Sequence, residues 1–118
     1  MDLVVRVEEE GGWAVARVSG NLDLTTAPRL RERLVQVVVS GQPRVVLDLQ
    51  EVDFVDSTGL GVIVGVLKRT RSQGGDLRLV STRSALRKIL ALTSLDDALP
   101  LAATVEEALT EDLTDRGS

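Results

Sequence analysis

The segment with the clearest potential for chemistry is the run of residues 56–61, Asp-Ser-Thr-Gly-Leu-Gly, which follows an apolar strand pattern and precedes a helical one. Ser57 therefore falls at or next to the first position of a predicted helix. The first amide groups of a helix have no intrahelical acceptor, and the helix dipole favours an anion there. A phosphate on the Ser57 hydroxyl would meet hydrogen-bond donors and a favourable field, so this position suits a phosphorylation site.

A purely structural role competes with this interpretation. A serine or an aspartate at a helix start commonly caps the helix, and such a cap contributes about 1 kcal/mol. Capping does not account for Gly59, Gly61 and Gly65, because a glycine costs up to about 1 kcal/mol in a helix interior. Either these glycines allow close packing within the domain, or they allow the backbone of another protein to approach the helix.

Several other chemistries are disfavoured or excluded by composition and motif. The chain has no histidine and no cysteine, which removes Ser-His-Asp and Cys-His catalysis, disulfides and thiolate zinc sites. The segment has neither the Gly-Lys-Ser/Thr of a phosphate-binding loop nor a Gly-x-Ser-x-Gly nucleophile elbow around Ser57. Asp48, Asp53 and Asp56 near strand ends raise the possibility of a magnesium site, but turn formation is the more ordinary role of such residues.

Charge and composition indicate a single acidic domain with an aliphatic core. The formal net charge of −4 disfavours nucleic-acid binding, and the alternating arginines of residues 29–33 form too short a patch to provide it. Only 2% of the residues are aromatic, so aliphatic side chains must fill the core, which favours parallel strands covered by helices. The length suffices for one core and is too short for two.

The hydropathy pattern predicts a cytoplasmic protein without a membrane segment. The first ten residues lack the charged region and apolar run of a signal peptide. Apolar runs elsewhere are far shorter than the roughly 20 residues that a membrane helix needs. The absence of cysteine is compatible with a reducing compartment.

The elements that must position residues 56–61 are predicted in the order β-β-α-β-α-β-α-(β)-α. Alternation around a Gly-Gly turn indicates an initial hairpin, and short apolar runs between turn signals indicate the later strands. The predicted strands span residues 3–7, 13–18, 44–49, 77–80 and 98–101, with residues 52–55 leading into the glycine-rich segment. Helices are predicted to begin near residues 26, 57, 82 and 105. We therefore expect an α/β fold: a mixed, mostly parallel sheet of four to five strands with about four helices packed on it.

Local signals also predict domain limits, helix caps and core-facing positions. Residues 1–112 are predicted to form the domain, and residues 113–118 a flexible polar tail. The predicted N-caps are Thr25 or Thr26 for the first helix, Ser81 or Thr82 for the third, and Thr104 for the fourth. Gly41 is placed to end the first helix in a left-handed conformation. In the second helix, the predicted core-facing residues are Leu60, Ile63, Val64 and Leu67.

Three segments of the chain together resemble the STAS family of anti-sigma-factor antagonists. They are residues 18–23 (VSGNLD), residues 45–49 (VVLDL) followed by 52–61 (VDFVDSTGLG), and the Gly74-Gly75 turn followed by residues 77–80 (LRLV). The resemblance runs over nearly the whole chain. Its most specific part is the Asp-Ser-Thr-Gly-Leu-Gly block. The expected fold is accordingly a single STAS domain.

The resemblance implies a function in partner switching. Such an antagonist binds an anti-sigma factor, which is a GHKL-type serine kinase, and thereby frees the sigma factor. The kinase phosphorylates the serine after the motif aspartate, here Ser57, and a PP2C-type phosphatase restores the unmodified form. The implied partner-binding residues are Asp23, Asp56, Thr58, Gly59, Leu60 and Gly61.

The same resemblance implies a protein that is not an enzyme. ATP and magnesium belong to the kinase, so no cofactor, metal ligand or catalytic residue is expected in this chain. The expected state is a monomer or weak dimer that contacts neither nucleic acid nor membrane directly.

Two other functions stay open. A STAS domain without a phosphorylation switch, such as one attached to an anion transporter or one serving a bacterial lipid-transport complex, would use the same helix as a constant docking surface. A metal-dependent hydrolase has only the carboxylates around Asp53 and Asp56 in its favour. Phosphate transfer to Ser57 from a cognate kinase distinguishes the switch from the constant docking surface, and the absence of metal-dependent turnover would remove the hydrolase hypothesis.

Overall fold

The alternation of strands and helices produces one sheet with helices on both faces. The computed structural model describes residues 2–110, within which the sheet has five strands in the spatial order β1-β2-β3-β4-β5. The strands are β1 (Val4–Glu10), β2 (Trp13–Leu22), β3 (Arg44–Val55), β4 (Asp76–Val80) and β5 (Leu101–Ala102). The helices are α1 (Ala27–Val39), α2 (Ser57–Ser72), α3 (Ser84–Leu92) and α4 (Val105–Thr110). The first pair of strands is antiparallel and the other three pairs are parallel, so the predicted fold class is confirmed.

Each face of the sheet has its own apolar cluster, because successive side chains of a strand point to opposite faces. The larger cluster lies under α1, α2 and α3, and β3 contributes Val45, Leu47 and Leu49 to it. The smaller cluster lies under α4, and β3 contributes Val46 to it. A strand that is buried on both faces is apolar without alternation, which explains the continuous run at the start of β3.

The connections that carry the predicted site residues leave the sheet at one edge. The β2–α1 and β3–α2 connections both follow the carboxyl ends of strands that run parallel as neighbours in the sheet. Ligand and partner sites of open α/β sheets are generally found at this edge. The turn at Asp23 and the segment at residues 56–61 therefore lie side by side.

β3 is longer and less regular than predicted. It is one strand of 12 residues rather than a run at 44–49 with a separate lead-in at 52–55. Its register against β2 shifts between Arg17 and Ser19 and again between Gly20 and Asn21, which gives β3 extra residues at this end. Such bulges interrupt the alternation of side chains. Residues 53 and 54 are consequently both exposed.

The predicted cap of α1 is confirmed in position but not in its hydrogen bond, and the predicted cap of α3 is wrong. Thr26 is the N-cap residue of α1, but its side chain makes no capping hydrogen bond and donates instead to the Asn21 carbonyl at 2.7 Å. α3 begins at Ser84 with Arg83 as its N-cap, one residue later than a cap at Thr82 would place it, and the Ser81 hydroxyl accepts from the Arg83 amide at 3.1 Å. In both cases the hydroxyl forms a hydrogen bond within the turn that precedes the helix and does not cap the helix.

Two other predicted helix ends are confirmed. Gly41 follows α1 with a φ of 111°, a conformation that glycine adopts without steric cost. The Glu107 amide donates to the Thr104 hydroxyl at 3.0 Å at the start of α4, as a capping box requires.

The core-facing side of α2 also differs from the prediction. The buried residues of this helix are Gly59, Ile63, Val66, Leu67 and Thr70. Leu60 and Val64, which the spacing assigns to the core, are only half-buried. Most of the first three turns of α2 are apolar or glycine, so the spacing of apolar residues does not define a single face. The face is decided by Gly59, the position at which the helix can approach β2 closely.

The predicted tail at residues 113–118 lies outside the described residues, so the domain limit at residue 112 stays a prediction. Within residues 2–110, no helix has both the length and the apolar character needed to cross a bilayer.

Candidate functional site

Asp56 joins the start of α2 to the loop between β2 and α1. It is the N-cap residue of α2, and its Oδ1 accepts from the Gly59 amide at 2.9 Å. Its Oδ2 accepts from the Leu24 amide at 3.0 Å, and its own amide donates to the Leu22 carbonyl at 3.1 Å. One residue thus caps the helix and holds the neighbouring loop against it.

Ser57 is the first residue of α2, and its side chain is exposed. Its hydroxyl makes no hydrogen bond to any residue in the range 2–110. The Gly59 amide is occupied by the Asp56 side chain, and the Leu60 amide by the Asp56 carbonyl at 2.9 Å. The amides of Ser57 and Thr58 are left without an intrahelical acceptor. An exposed hydroxyl and an anion-favouring helix start therefore occur together at the surface.

Asp23 organises the loop that packs beside the start of α2. Its Oδ1 accepts from the Thr25 hydroxyl at 2.8 Å, from the Thr25 amide at 3.0 Å and from the Thr26 amide at 3.2 Å. The hydrogen bond from the Thr25 hydroxyl contributes most to lowering the pKa of Asp23 below its ordinary value of 3.8, against a smaller opposing effect of desolvation. Asp23 is therefore ionised at neutral pH, so both it and the carboxylate of Asp56 can act on a charge at Ser57.

The lowered pKa of Asp23 predicts a pH-dependent contribution to stability. A carboxylate whose pKa is lower in the folded state stabilises the fold above its unfolded pKa and ceases to do so as the pH falls through the folded value. The difference in unfolding midpoint between the natural protein and Asp23→Asn should be constant near pH 6 and shrink as the pH falls below about 4. Thermal unfolding of both proteins between pH 3 and pH 7 checks this, and a difference that grows on acidification would contradict it.

The glycines of α2 have different environments. Gly59 is buried, and a Cβ there would lie 2.7 Å from the Leu22 Cγ and 2.8 Å from the Leu22 carbonyl oxygen. Gly61 and Gly65 are exposed, and a Cβ at either would have nothing within 4 Å. Close packing in the domain explains Gly59, whereas the fold itself does not require glycine at the other two positions.

The remaining predicted site residues are half-buried. Leu60 packs against the larger apolar cluster, and Thr58 lines a groove between α1 and α2 together with Gly61. The structure thus brings Asp23, Asp56 and Ser57 to one edge of the sheet. Of the other predicted contact residues, Gly61 is open to a partner, whereas Gly59 points into the fold.

Two exposed apolar side chains belong to the segments around the start of α2 and are not predicted by the sequence pattern. Leu24 is 69% exposed, and its amide donates a hydrogen bond to Asp56. Phe54 is 54% exposed and lies near the end of β3, three residues before Ser57 in the sequence. Large apolar side chains grouped around a polar position are typical of protein-docking surfaces. The one available signal is that Phe54 is the only phenylalanine of the chain. Its direction depends on the bulges in β3, which the sequence does not reveal.

The three aspartates considered as magnesium ligands have separate partners. Asp48 pairs with Arg17 at 3.2 Å, Asp53 pairs with Arg83 at 3.2 Å, and Asp56 caps α2. Within residues 2–110 there is no group of three or more acidic side chains that could hold a metal ion. The structure therefore offers the hydrolase hypothesis no candidate centre in the described part of the chain.

Sequence and structural similarity identify the family. Residues 4–108 match the family model described as STAS domain. The chain belongs to the STAS domain family. This STAS domain is 34% identical over 106 residues to the anti-sigma-B factor antagonist of Bacillus subtilis, a match that covers 90% of this chain and 96% of the relative.

Further relatives of this STAS domain have names of the same kind. It is 32% identical over 108 residues to the anti-sigma-F factor antagonist RsfB of Mycobacterium tuberculosis, with 92% and 88% of the two chains covered. Its fold matches the crystal structure of an anti-sigma factor antagonist from Mycobacterium paratuberculosis with a TM-score of 0.84, 34% identity and 92% of each chain covered. The resemblance drawn from residues 18–23, from 45–49 with 52–61, and from the Gly74-Gly75 turn with 77–80 is thereby confirmed at the level of the family.

Proposed function

We propose that this STAS domain is a cytoplasmic anti-sigma-factor antagonist that is controlled by phosphorylation of Ser57. The unmodified form binds an anti-sigma factor of the GHKL serine-kinase type and so frees the sigma factor. Phosphorylation of Ser57 by that kinase ends the binding, and a PP2C-type phosphatase restores it. The observation that most supports this proposal is the exposed Ser57 hydroxyl at the first position of α2, beside Asp56 and the loop of Asp23.

The proposed control acts through surface charge. A phosphate adds roughly −1.5 to −2 charges near pH 7. In the free domain it lies in water at a helix start, where unbonded amides favour it, so the fold does not have to change. In a complex it is desolvated close to the carboxylates of Asp23 and Asp56 and to the phosphates of the kinase's nucleotide. A loss of about 3 kcal/mol already weakens a complex roughly a hundredfold.

Phosphate transfer tests the proposal directly. Incubation with ATP, magnesium and a GHKL-type anti-sigma factor of the same genome should add one phosphate, which peptide mass spectrometry places on Ser57. Ser57→Ala should abolish the transfer, while the matched variant Thr58→Ala should keep it. Binding without any transfer would instead favour the alternative function, an unphosphorylated STAS docking subunit of a transport complex. Transfer to Thr58 would show that the wrong hydroxyl has been assigned.

The exposed apolar residues beside Ser57 should provide much of the binding energy. Apolar anchors at the centre of an interface commonly account for more than about 1–2 kcal/mol each, so Phe54→Ala should weaken the complex by about tenfold or more. Its unfolding midpoint should change little, because the side chain is 54% exposed. Val39→Ala is the control, since Val39 is 73% exposed at the far end of α1. Isothermal titration calorimetry on both variants is the measurement, and equal affinities would contradict the assignment.

A further inference from the structure

A groove between α1 and α2 extends away from Ser57 along the helix. It has a volume of about 550 Å³, room for several side chains of a partner rather than one. Its lining residues are Arg31, Val35, Thr58, Gly61, Val62, Gly65, Val66 and Arg69. We call this surface the α1–α2 groove. Because Thr58 follows Ser57 directly, the α1–α2 groove is continuous with the phosphorylation site proposed above.

The charges of the α1–α2 groove are all positive. Arg31 and Arg69 line it, and no acidic side chain among residues 2–110 does. Neither guanidinium has an ion pair or a side-chain hydrogen bond with any residue from 2 to 110, although the protein as a whole carries a net charge of −4. Unpaired positive charge on an otherwise acidic protein complements an acidic partner and repels a basic one.

The floor of the α1–α2 groove is open to the backbone of a partner. Gly61 and Gly65 are one helical turn apart and so lie on the same face of α2. Apart from the backbone of α2 itself, no atom among residues 2–110 comes within 4 Å of a Cβ placed at either residue. The apolar parts of the floor come from Val35, Val62 and Val66. The α1–α2 groove lies between two helices, has an apolar floor and lacks side chains at two positions. A third helix could therefore pack in it.

We propose that the α1–α2 groove receives an acidic helix of the anti-sigma factor, whose backbone packs on Gly61 and Gly65 and whose carboxylates pair with Arg31 and Arg69. This inference rests on the proposed function, because it identifies the element with which that partner docks. It adds a second contact region, which extends along α2 beyond Ser57. Ser57 decides whether the partner stays bound, and the α1–α2 groove selects a partner that carries an acidic helix.

Charge reversal tests the two arginines. Arg31→Glu and Arg69→Glu should each weaken binding to the GHKL-type anti-sigma factor used in the phosphorylation assay by about tenfold or more, and should flatten its dependence on salt. Arg33→Glu is the matched control, because Arg33 is exposed on α1 but does not line the α1–α2 groove. Unchanged affinity in both groove variants would overturn the inference.

A glycine substitution separates binding from folding. Gly65→Ala should raise the unfolding midpoint, because alanine favours the helix and meets no neighbour, and should still weaken the complex. A midpoint that rises while the affinity stays the same would overturn the inference. So would a charge-reversal effect confined to self-association, seen by sedimentation of the protein alone, because the occupant would then be a second copy of this chain.

The two proposals can fail independently. If Ser57→Asp abolishes binding while the groove variants bind normally, the phosphorylation switch is supported and the acidic helix is refuted. If the groove variants weaken binding and no phosphate is transferred to Ser57, the acidic helix is supported and the switch is refuted.

Discussion

A Ser57→Asp variant is expected to bind the anti-sigma factor about a hundredfold more weakly while unfolding at nearly the same temperature as the natural protein. The side chain at the first position of α2 is exposed, so a carboxylate there is solvated in the free domain. An acidic residue in the first turn also interacts favourably with the helix dipole. The cost arises only in the complex, where the charge loses its water close to Asp23 and Asp56.

Two variants serve as controls for this result. Ser57→Ala should keep the natural affinity and lose no more than about 1 kcal/mol of stability, because Asp56 rather than Ser57 provides the cap. Ser84→Asp places the same charge at the first position of α3, where the serine is also exposed. Calorimetric titration with the kinase and thermal unfolding of each variant give the two quantities.

Each alternative role of Ser57 leads to a different result. Unfolding of Ser57→Asp would make Ser57 mainly structural. If Ser57→Asp binds the anti-sigma factor with the affinity of the natural protein, negative charge at Ser57 is not the mechanism of control. An equal loss of affinity in Ser84→Asp would show that the partner responds to negative charge in general rather than to this position.

Gly59→Ala is expected to destabilise the domain by about 1–3 kcal/mol, although alanine is the better helix former. The added Cβ would lie 2.7 Å from the Leu22 Cγ and 2.8 Å from the Leu22 carbonyl oxygen. A flexible side chain can move away, but this carbonyl belongs to β2 and also accepts the Asp56 amide at 3.1 Å. Relief of the clash would therefore disturb the contact that places the start of α2 beside the Asp23 loop.

Gly61→Ala is the matched control for Gly59→Ala. It lies two residues further along the same helix, where a Cβ meets nothing within 4 Å, so it should gain up to about 1 kcal/mol. Urea unfolding of the two variants measures both free energies of unfolding. Stabilisation by both substitutions would show that the close approach of α2 to β2 is not needed for the fold.

Features that depend on neighbouring residues could be predicted from the sequence alone. Residues 44–49 form a mostly apolar run between turn signals, and that pattern is enough to predict a buried strand. Asp56 followed by Ser57 marks a helix start, because side-chain acceptors satisfy amides only a few residues away. The family also follows from the sequence, because the segments that carry it are short and contiguous.

Features that depend on packing between distant residues could not be predicted from the sequence. Phe54 points outward because the register of β3 against β2 shifts, and such a shift arises from contacts between strands. The roles of Gly59 and Gly61 differ because Leu22 lies against one of them and nothing lies against the other. The local sequence does not distinguish these two glycines. A substitution at Gly59 differs in its effect on stability because Leu22, 37 residues earlier in the chain, packs against Gly59, whereas Gly61 faces solvent.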